Sequence, residues 1–299
     1  MGVKASLKDQ GLAPRKRWGQ HFLTDPRILG SIADAADITL ADTILEIGPG
    51  LGHLTRVLAA RAAHVTAVEV DAGLAAKLEA ELAENPNLNI LQGDILEREP
   101  VEWLTLNGKR KHEAGVEPAS ISYKVVANLP YYITSAILRY LLEAAVKPRL
   151  IVVMVQREVA QRMIARPPST NLLAVTVQFL ADVRIVRTIA AGAFYPRPKV
   201  DSAVVRLDVL ERPRFDIADT DGLFTLVRAG FGERRKQLRN SLGRGLNLEP
   251  AAAEALLTRA LVDPRRRAES LSLAEWAGLG RAWERAKSDG GLGALRGTR

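Results

Sequence analysis

Apolar residues fall into two rhythms along the first two thirds of the chain. Short runs rich in β-branched residues, TILEI (43–47), HVTAVEV (64–70), LNILQGD (88–94), YKVVA (123–127) and RLIVVMV (149–155), predict buried strands. Between them the apolar positions recur at helical spacing. Leu51, Leu54 and Leu58 follow the first run, and Leu74, Leu78 and Leu82 lie four apart after the second. Alternating strand and helix patterns predict a parallel sheet covered on both faces. DVRIVRTI (182–189) and DSAVVRLDVL (201–210) follow with no long helix between them and read as an antiparallel pair at the sheet edge. The expected fold is α/β and Rossmann-like, a mostly parallel seven-stranded sheet with an antiparallel edge.

After ERPRFD (211–216) only the helical rhythm remains. Leu223, Leu226 and Val227 form one stripe, Pro250 suits a first helical turn, and Ser272 with Glu275 fits a capping box ahead of Trp276. A small all-α domain is expected over 211–299, after a first domain over 1–210 that starts with a basic arm. The stretch 107–120 reads as a surface insertion and 287–299 as a loose tail.

Composition narrows the classes. At 47% hydrophobic and 25% charged residues, the 299-residue chain is an ordinary globular protein, not a disordered one. It has no cysteine, which excludes disulfides, thiolate nucleophiles and cysteine-ligated metals, and its four histidines are scattered, so no metal is expected. No run is apolar enough for a membrane span, and MGVKASLKDQGLAPRKRWGQHFL lacks the apolar core of a signal peptide. Met1-Gly2 with Ser6 formally fits a myristoylation pattern, a match that a start methionine and a common serine produce by chance. A reducing cytoplasm is the expected compartment. Net charge is +8, which leans toward a polyanionic partner. The charge gathers at Arg15-Lys16-Arg17, in GERRKQLRNSLGR (232–244) and at Arg265-Arg266-Arg267; such runs are most often solvated faces.

Candidate chemistry lies where the predicted strands end. EIGPGLG (46–52) follows the first strand and opens a helix, so Gly48 and Gly50 can let the backbone approach a ligand closely. A dinucleotide fingerprint would need glycine at position 53, which is His53. The G-x-G-x-G form instead resembles motif I of S-adenosylmethionine-dependent methyltransferases. Glu69 ends the second strand about 20 residues on, the spacing at which an acid meets a ribose diol. Asp94 ends the third and can accept from an adenine amino group. Asn128-Leu129-Pro130-Tyr131 ends the fourth and resembles motif IV of enzymes that methylate exocyclic amines. The lone pair of such an amine is delocalised into the ring. Two acceptors, the Asn128 side chain and the Leu129 carbonyl, can stabilise the positive charge that grows on it. Pro130 fixes the turn, and Tyr131 offers a face to an unstacked base.

Taken together, these motifs resemble the KsgA-type ribosomal RNA adenine dimethyltransferases from about Arg15 to Trp276. RKRWGQHFL is similar to the family's N-terminal motif, in which the residues at His21 and Leu23 contact the cofactor. AFYPRPKVDSAVVRL (193–207) is similar to a substrate-side segment, which implies that Phe194 stacks on the target base. FGERRKQLRNSLG and DPRRRAE resemble signatures of the helical domain that meets RNA, so Arg234, Arg235, Lys236 and Arg239, with Arg15, Lys16 and Arg17, are expected RNA contacts. The resemblance implies N6,N6-dimethylation of two adjacent adenosines near the 3′ end of 16S ribosomal RNA, within the immature small subunit, by a monomer using S-adenosylmethionine. Three other readings stand beside it. They are an Erm-type large-subunit RNA methyltransferase, a non-catalytic ribosome-assembly factor and a dinucleotide-dependent dehydrogenase.

Overall fold

Strands form where the apolar runs demand burial on both faces. The computed structural model of the chain describes residues 21–23, 25–106, 121–233 and 235–288. A short strand β1 (Phe22–Leu23) leads into helix α1 (Pro26–Ala35), capped by the Asp25 carboxylate. Alternation follows: β2 (Thr43–Ile47), α2 (His53–Ala59), β3 (His64–Glu69), α3 (Ala72–Glu81), β4 (Leu88–Gln92), α4 (Pro100–Thr105), β5 (Tyr123–Asn128), α5 (Thr134–Glu143) and β6 (Leu150–Gln156). Next come α6 (Arg157–Met163), α7 (Leu172–Leu180), β7 (Ala181–Ile189), β8 (Phe194–Tyr195) and β9 (Ser202–Val209). Helices alone complete the chain: α8 (Thr220–Gly232), α9 (Leu238–Leu246), α10 (Pro250–Arg259) and α11 (Leu273–Ser288).

The main sheet has seven strands in the order β4-β3-β2-β5-β6-β9-β7. Pairs β4–β3, β3–β2, β2–β5 and β5–β6 are parallel, and β9 runs antiparallel to β6. The chain winds outward from β2 to β4, then returns to β5 and continues the other way. Loops at the carboxyl ends of β2 and β5 therefore diverge and open a crevice between them. A second, unexpected sheet pairs β1 with β8, matching Phe22 to Tyr195 and Leu23 to Phe194. Leu29, Ile32, Leu54 and Leu58 from α1 and α2 pack with Ile44, Val126 and Val152 of the sheet in the core.

Two compact units result. One comprises the described residues up to Ala160 together with Val183–Val209, and the other Gln161–Asp182 with the described residues from Leu210 on. The expected single division at residue 211 is thus corrected, because α7 belongs with the C-terminal helices. Its sequence LLAVTVQFL is apolar on nearly every side, and Phe179 sits against Phe215 and Phe224 with ring centroids 5.7 and 6.1 Å away. A helix apolar on nearly every side has no amphipathic period to read. In the same unit the capping box forms as expected. Glu275 N donates to Ser272 Oγ at 3.2 Å, and Ser272 N donates to Glu275 Oε2 at 2.7 Å.

One residue contradicts its surroundings. Lys124 lies inside β5 and is 2% exposed. Its Nζ donates to Ala36 O at 2.8 Å, Asp37 O at 2.6 Å and Asp42 Oδ2 at 2.8 Å, so all three ammonium protons are used. Burial alone would raise the Asp42 carboxyl, but the Lys124 bond and the Thr39 amide outweigh it and hold the group below the usual range. The lysine ties the end of α1 and the entry to β2 onto the centre of the sheet. Lys124→Met is expected to lose about 3–5 kcal/mol of stability in urea unfolding, because it removes the buried one of the two cations, Lys124 and Arg149, that pair with Asp42. Adding Asp42→Asn is expected to recover part of the loss. A loss below about 1 kcal/mol would show that water already reaches Asp42.

Candidate active site

A cavity of about 350 Å³ opens beyond the carboxyl ends of β2, β3, β4 and β5. Its wall is built by the glycine loop after β2, by Glu69, by Asp94 and by the turn from Asn128 to Ile133, with His21 to Leu23 closing one side. The glycine loop and the Asn128 turn leave the two strands between which the strand order reverses, Glu69 and Asp94 stand at the ends of the neighbouring β3 and β4, and His21 is tied to the Asn128 turn.

The glycine loop is held from behind. Gly50 has φ +58°, and a Cβ there would stand 3.1 Å from the Phe22 ring. Gly52, φ +74°, caps α2 where a Cβ would fall 2.2 Å from Leu78 Cδ1. Both positions therefore require glycine. Glu69 Oε2 accepts from Gly50 N at 3.0 Å and Oε1 accepts from Asp71 N at 3.0 Å. The Glu69 carbonyl takes Gly93 N at 3.0 Å. Glu69 is 5% exposed; burial raises its carboxyl above the usual range, and the two amide bonds only partly offset this. Asp71 is buried and caps α3 by accepting from Gly73 N. Asp94 is exposed, and its Oδ1 accepts from Leu96 N at 3.0 Å.

On the other side of the cavity the Asn128 turn is equally fixed. Leu129 N donates to Met154 O at 3.2 Å, and Pro130 O accepts from Ile133 N at 3.3 Å and Thr134 Oγ1 at 3.2 Å. Asn128 Nδ2 donates to the His21 carbonyl at 3.2 Å. A carbonyl only accepts, so the amide nitrogen faces it and Oδ1 is turned away for another donor. Tyr131 shares a 2.7 Å hydrogen bond with Ser202 Oγ, which is fully buried, and its ring stacks on His21 with centroids 5.7 Å apart and planes at 24°. His21 Nδ1 lies 2.7 Å from Pro196 O, which makes Nδ1 the protonated ring nitrogen.

The structure brings His21, Leu23, Gly48, Gly50, Glu69, Asp94, Asn128, Leu129, Pro130 and Tyr131 onto this one cavity. It does not bring Phe194 there. β8 pairs with β1 and turns Phe194 into the core, 5% exposed among Ile189 and Val204, so the expected stacking face is covered. In the helical unit, Arg235 and Lys236 are exposed and form no ion pair among the described residues, whereas Arg239 lies 3.7 Å from Glu254. Arg266 pairs with Glu275 and donates to the Ser270 carbonyl, and so builds the fold instead of facing solvent. Arg15, Lys16, Arg17 and Arg234 lie outside the described residues. Among the described residues no group of acids and histidines could hold a metal ion, and no helix is long and apolar enough to cross a membrane.

Sequence reasoning passed over Glu46. This acid stands inside β2, 1% exposed, and lines the cavity. Neither its Oε2 nor the buried Thr55 Oγ1 has a hydrogen-bond partner among the described residues. Burial pushes its carboxyl up to about 8, and the neighbouring Glu69 charge adds to the rise; the Thr55 hydroxyl stands near enough to act the other way, although it makes no well-formed hydrogen bond to the acid. The only available signal was an acid within an otherwise apolar strand.

Comparison with known proteins agrees on one family. A family model described as ribosomal RNA adenine dimethylase matches residues 11–279. A protein of Dehalococcoides mccartyi named ribosomal RNA small subunit methyltransferase A is 44% identical over 274 residues, 92% of this chain and 90% of its own. One of the same name from Moorella thermoacetica is 43% identical over 283 residues, 93% of this chain and 95% of its own. The crystal structure of the 23S ribosomal RNA methyltransferase ErmE is similar at 28% identity and TM-score 0.64, covering 88% of this chain and 99% of that one. A dimethyladenosine transferase from Plasmodium falciparum shares the fold at TM-score 0.71 and 24% identity, over 90% of this chain and 98% of that one.

The raised Glu46 carboxyl has a consequence for stability. It binds a proton in the folded state that it loses when unfolded, so its contribution is complete below pH 4.5 and disappears as pH rises to about 8. The slope is about 1.4 kcal/mol per pH unit. Relative to the wild type, Glu46→Gln is expected to become progressively more stable between pH 5 and 8 in ligand-free thermal melts. Parallel curves for the two proteins would mean that Glu46 is solvated.

Proposed function

The chain belongs to the ribosomal RNA adenine dimethylase family, and from that premise we propose that it dimethylates N6 of two adjacent adenosines near the 3′ end of 16S ribosomal RNA in the maturing small subunit. The observation that carries the reading is the orientation of Asn128, whose Nδ2 is taken by the His21 carbonyl so that Oδ1 faces a donor. An exocyclic amine is such a donor. The relatives named for the small subunit are 42–44% identical to this chain, against 28% for the large-subunit enzyme ErmE, which favours the small-subunit substrate.

The cofactor is S-adenosylmethionine. The cavity suits it: the glycine loop leaves space where a Cβ would intrude, and Glu46 Oε2 is a buried acceptor without a partner. Glu69 takes the ribose hydroxyls through the remaining lone pairs of its two oxygens, and Asp94 takes the adenine amino group through the oxygen its own turn leaves. When bound, the cofactor supplies a methyl group already activated on a sulfonium, so neither a metal nor a strong base is needed to start the transfer. Asn128 Oδ1 and the Leu129 carbonyl accept from the target amine and stabilise positive charge as it grows on nitrogen. Ser202 pins the Tyr131 hydroxyl and His21 covers one face of its ring, leaving the other face for the flipped base. Pro130 and the Leu129–Met154 bond keep the acceptors in place before substrate arrives. Phosphates are met by Arg235 and Lys236, two exposed cations of the helical unit with no ion pair among the described residues, with Arg239, Arg234 and the Arg15-Lys16-Arg17 arm added on the family's pattern.

Mapping N6-dimethyladenosine in ribosomal RNA from cells lacking this protein tests the reading as a whole. The two adjacent adenosines near the 3′ end of the small-subunit RNA are expected to be unmethylated, and normal methylation there would overturn it. Asn128→Ala is expected to slow single-turnover methylation by about 10²–10³ with little change in RNA affinity. Near-normal turnover would make the Asn128 turn a structural element only. Replacing Arg235 and Lys236 by glutamine is expected to lower the slope of log affinity against log salt by about 1.4–1.8, the value for two phosphate contacts. Cofactor affinity should stay constant, and an unchanged salt slope would return these residues to the solvated surface.

A further inference from the structure

The segment between β8 and β9 carries two cations that the fold does not use. Arg197 and Lys199 are exposed and form no ion pair among the described residues. Both ends of the segment are nevertheless fastened to the catalytic cavity. At one end the Pro196 carbonyl accepts from His21 Nδ1 at 2.7 Å, and at the other Ser202 Oγ shares its 2.7 Å hydrogen bond with the Tyr131 hydroxyl. His21 and Tyr131 line the cavity. We infer that Arg197 and Lys199 bind the phosphates that flank the target adenosine, and so hold the RNA strand at the mouth while its base is inside. This rests on the RNA reading above and adds to it a contact made by the unit that carries the cavity.

Local structure supports the assignment. Pro196 and Pro198 each fix a backbone φ, and a residue before proline keeps extended geometry, so the segment has little freedom left to lose on binding. Pro198 is buried while Arg197 and Lys199 on either side of it are exposed, the alternation of an extended chain with one side packed and the other in water. Asp201, the acid that follows them, is already committed. Its Oδ1 accepts from Ala191 N at 3.1 Å, and its Oδ2 pairs with Arg157 Nη1 at 3.4 Å. A phosphodiester is the ligand that fits. A base drawn out of its stack into the cavity leaves its own sugar and phosphates at the mouth. Arginine offers a planar fork to two phosphate oxygens, and lysine a mobile point charge. Phosphate contacts position a strand without reading its sequence, so one pair of cations serves two neighbouring adenosines in turn.

Small subunits reconstituted with 16S RNA whose 3′ segment is a ligated synthetic oligonucleotide provide the test. One set carries neutral methylphosphonate linkages on both sides of the first target adenosine, with 2′-deoxyribose on the 5′ side of each. Its control carries the same deoxyribose with ordinary phosphates. The wild type is expected to lose about tenfold in kcat/KM on the neutral set relative to the control. Arg197→Gln with Lys199→Gln is expected to show that loss already on the control and none further on the neutral set. Its slope of log affinity against log salt is expected to fall by about 1.4–1.8, the value for two phosphate contacts. The exchanged pair, Arg197→Lys with Lys199→Arg, keeps both charges and is expected to keep the wild-type slope. Affinity for S-adenosylhomocysteine is expected to match the wild type in both variants, which also shows that they are folded. A wild type indifferent to the neutral linkages, or a glutamine variant that loses as much on them as the wild type, would overturn the inference. A lowered salt slope alongside either result would place the two cations against another acidic surface, such as a protein of the subunit, and would overturn it equally. Failure of the wild type to methylate unmodified subunits would overturn the RNA reading and this inference with it.

Discussion

The Glu69 carboxylate is the tie on which the site depends. One oxygen holds Gly50 in the loop after β2, the other holds Asp71 at the start of α3, and the residue's own carbonyl takes Gly93 at the end of β4. Three strand ends are thereby fixed relative to one another by a single side chain and its peptide group. Hydrogen bonds to a charged acceptor contribute about 1.5–3 kcal/mol each, enough to offset much of the cost of burying the carboxylate. The loop is therefore formed before any ligand enters, and binding need not order it.

At the other end of the sheet Lys124 and Asp42 do a related job with opposite economy of charge. There the ion pair is complete, since every ammonium proton of Lys124 has an acceptor. In the cavity the acids are left incomplete, since Glu46 and Glu69 face it without a cation of their own among the described residues. A satisfied pair belongs to the scaffold, and an unsatisfied one marks where a ligand completes the structure. The Asn128–His21 contact then joins the two halves of the site. The segment that closes the cofactor side also sets the direction of the acceptor that meets the base.

Much of this is legible in the chain before folding. Strands β2 to β6 announce themselves as β-branched runs, and the residues that end them, Gly50, Glu69, Asp94 and Asn128, converge because a parallel sheet collects its carboxyl ends on one edge. What escapes has physical causes. α7 is apolar on nearly every side and shows no helical stripe. β1 and β8 span two residues each, too short for any period, yet their pairing removes Phe194 from the cavity. Lys124 and Glu46 look like surface charges interrupting apolar runs, and only the three-dimensional arrangement distinguishes the satisfied one from the unsatisfied one.

A crystal structure with S-adenosylhomocysteine bound tests the central claim most directly. The account places the ligand in the cavity bounded by Gly48, Glu69 and Asn128, with ribose oxygens within hydrogen-bonding distance of Glu69, the adenine amino group at Asp94 and the glycine loop unmoved. A second hollow of about 250 Å³ lies on the far side of that loop, between Arg56, Lys77 and Glu81. Ligand density there, or a ribose that leaves Glu69 untouched, would contradict it.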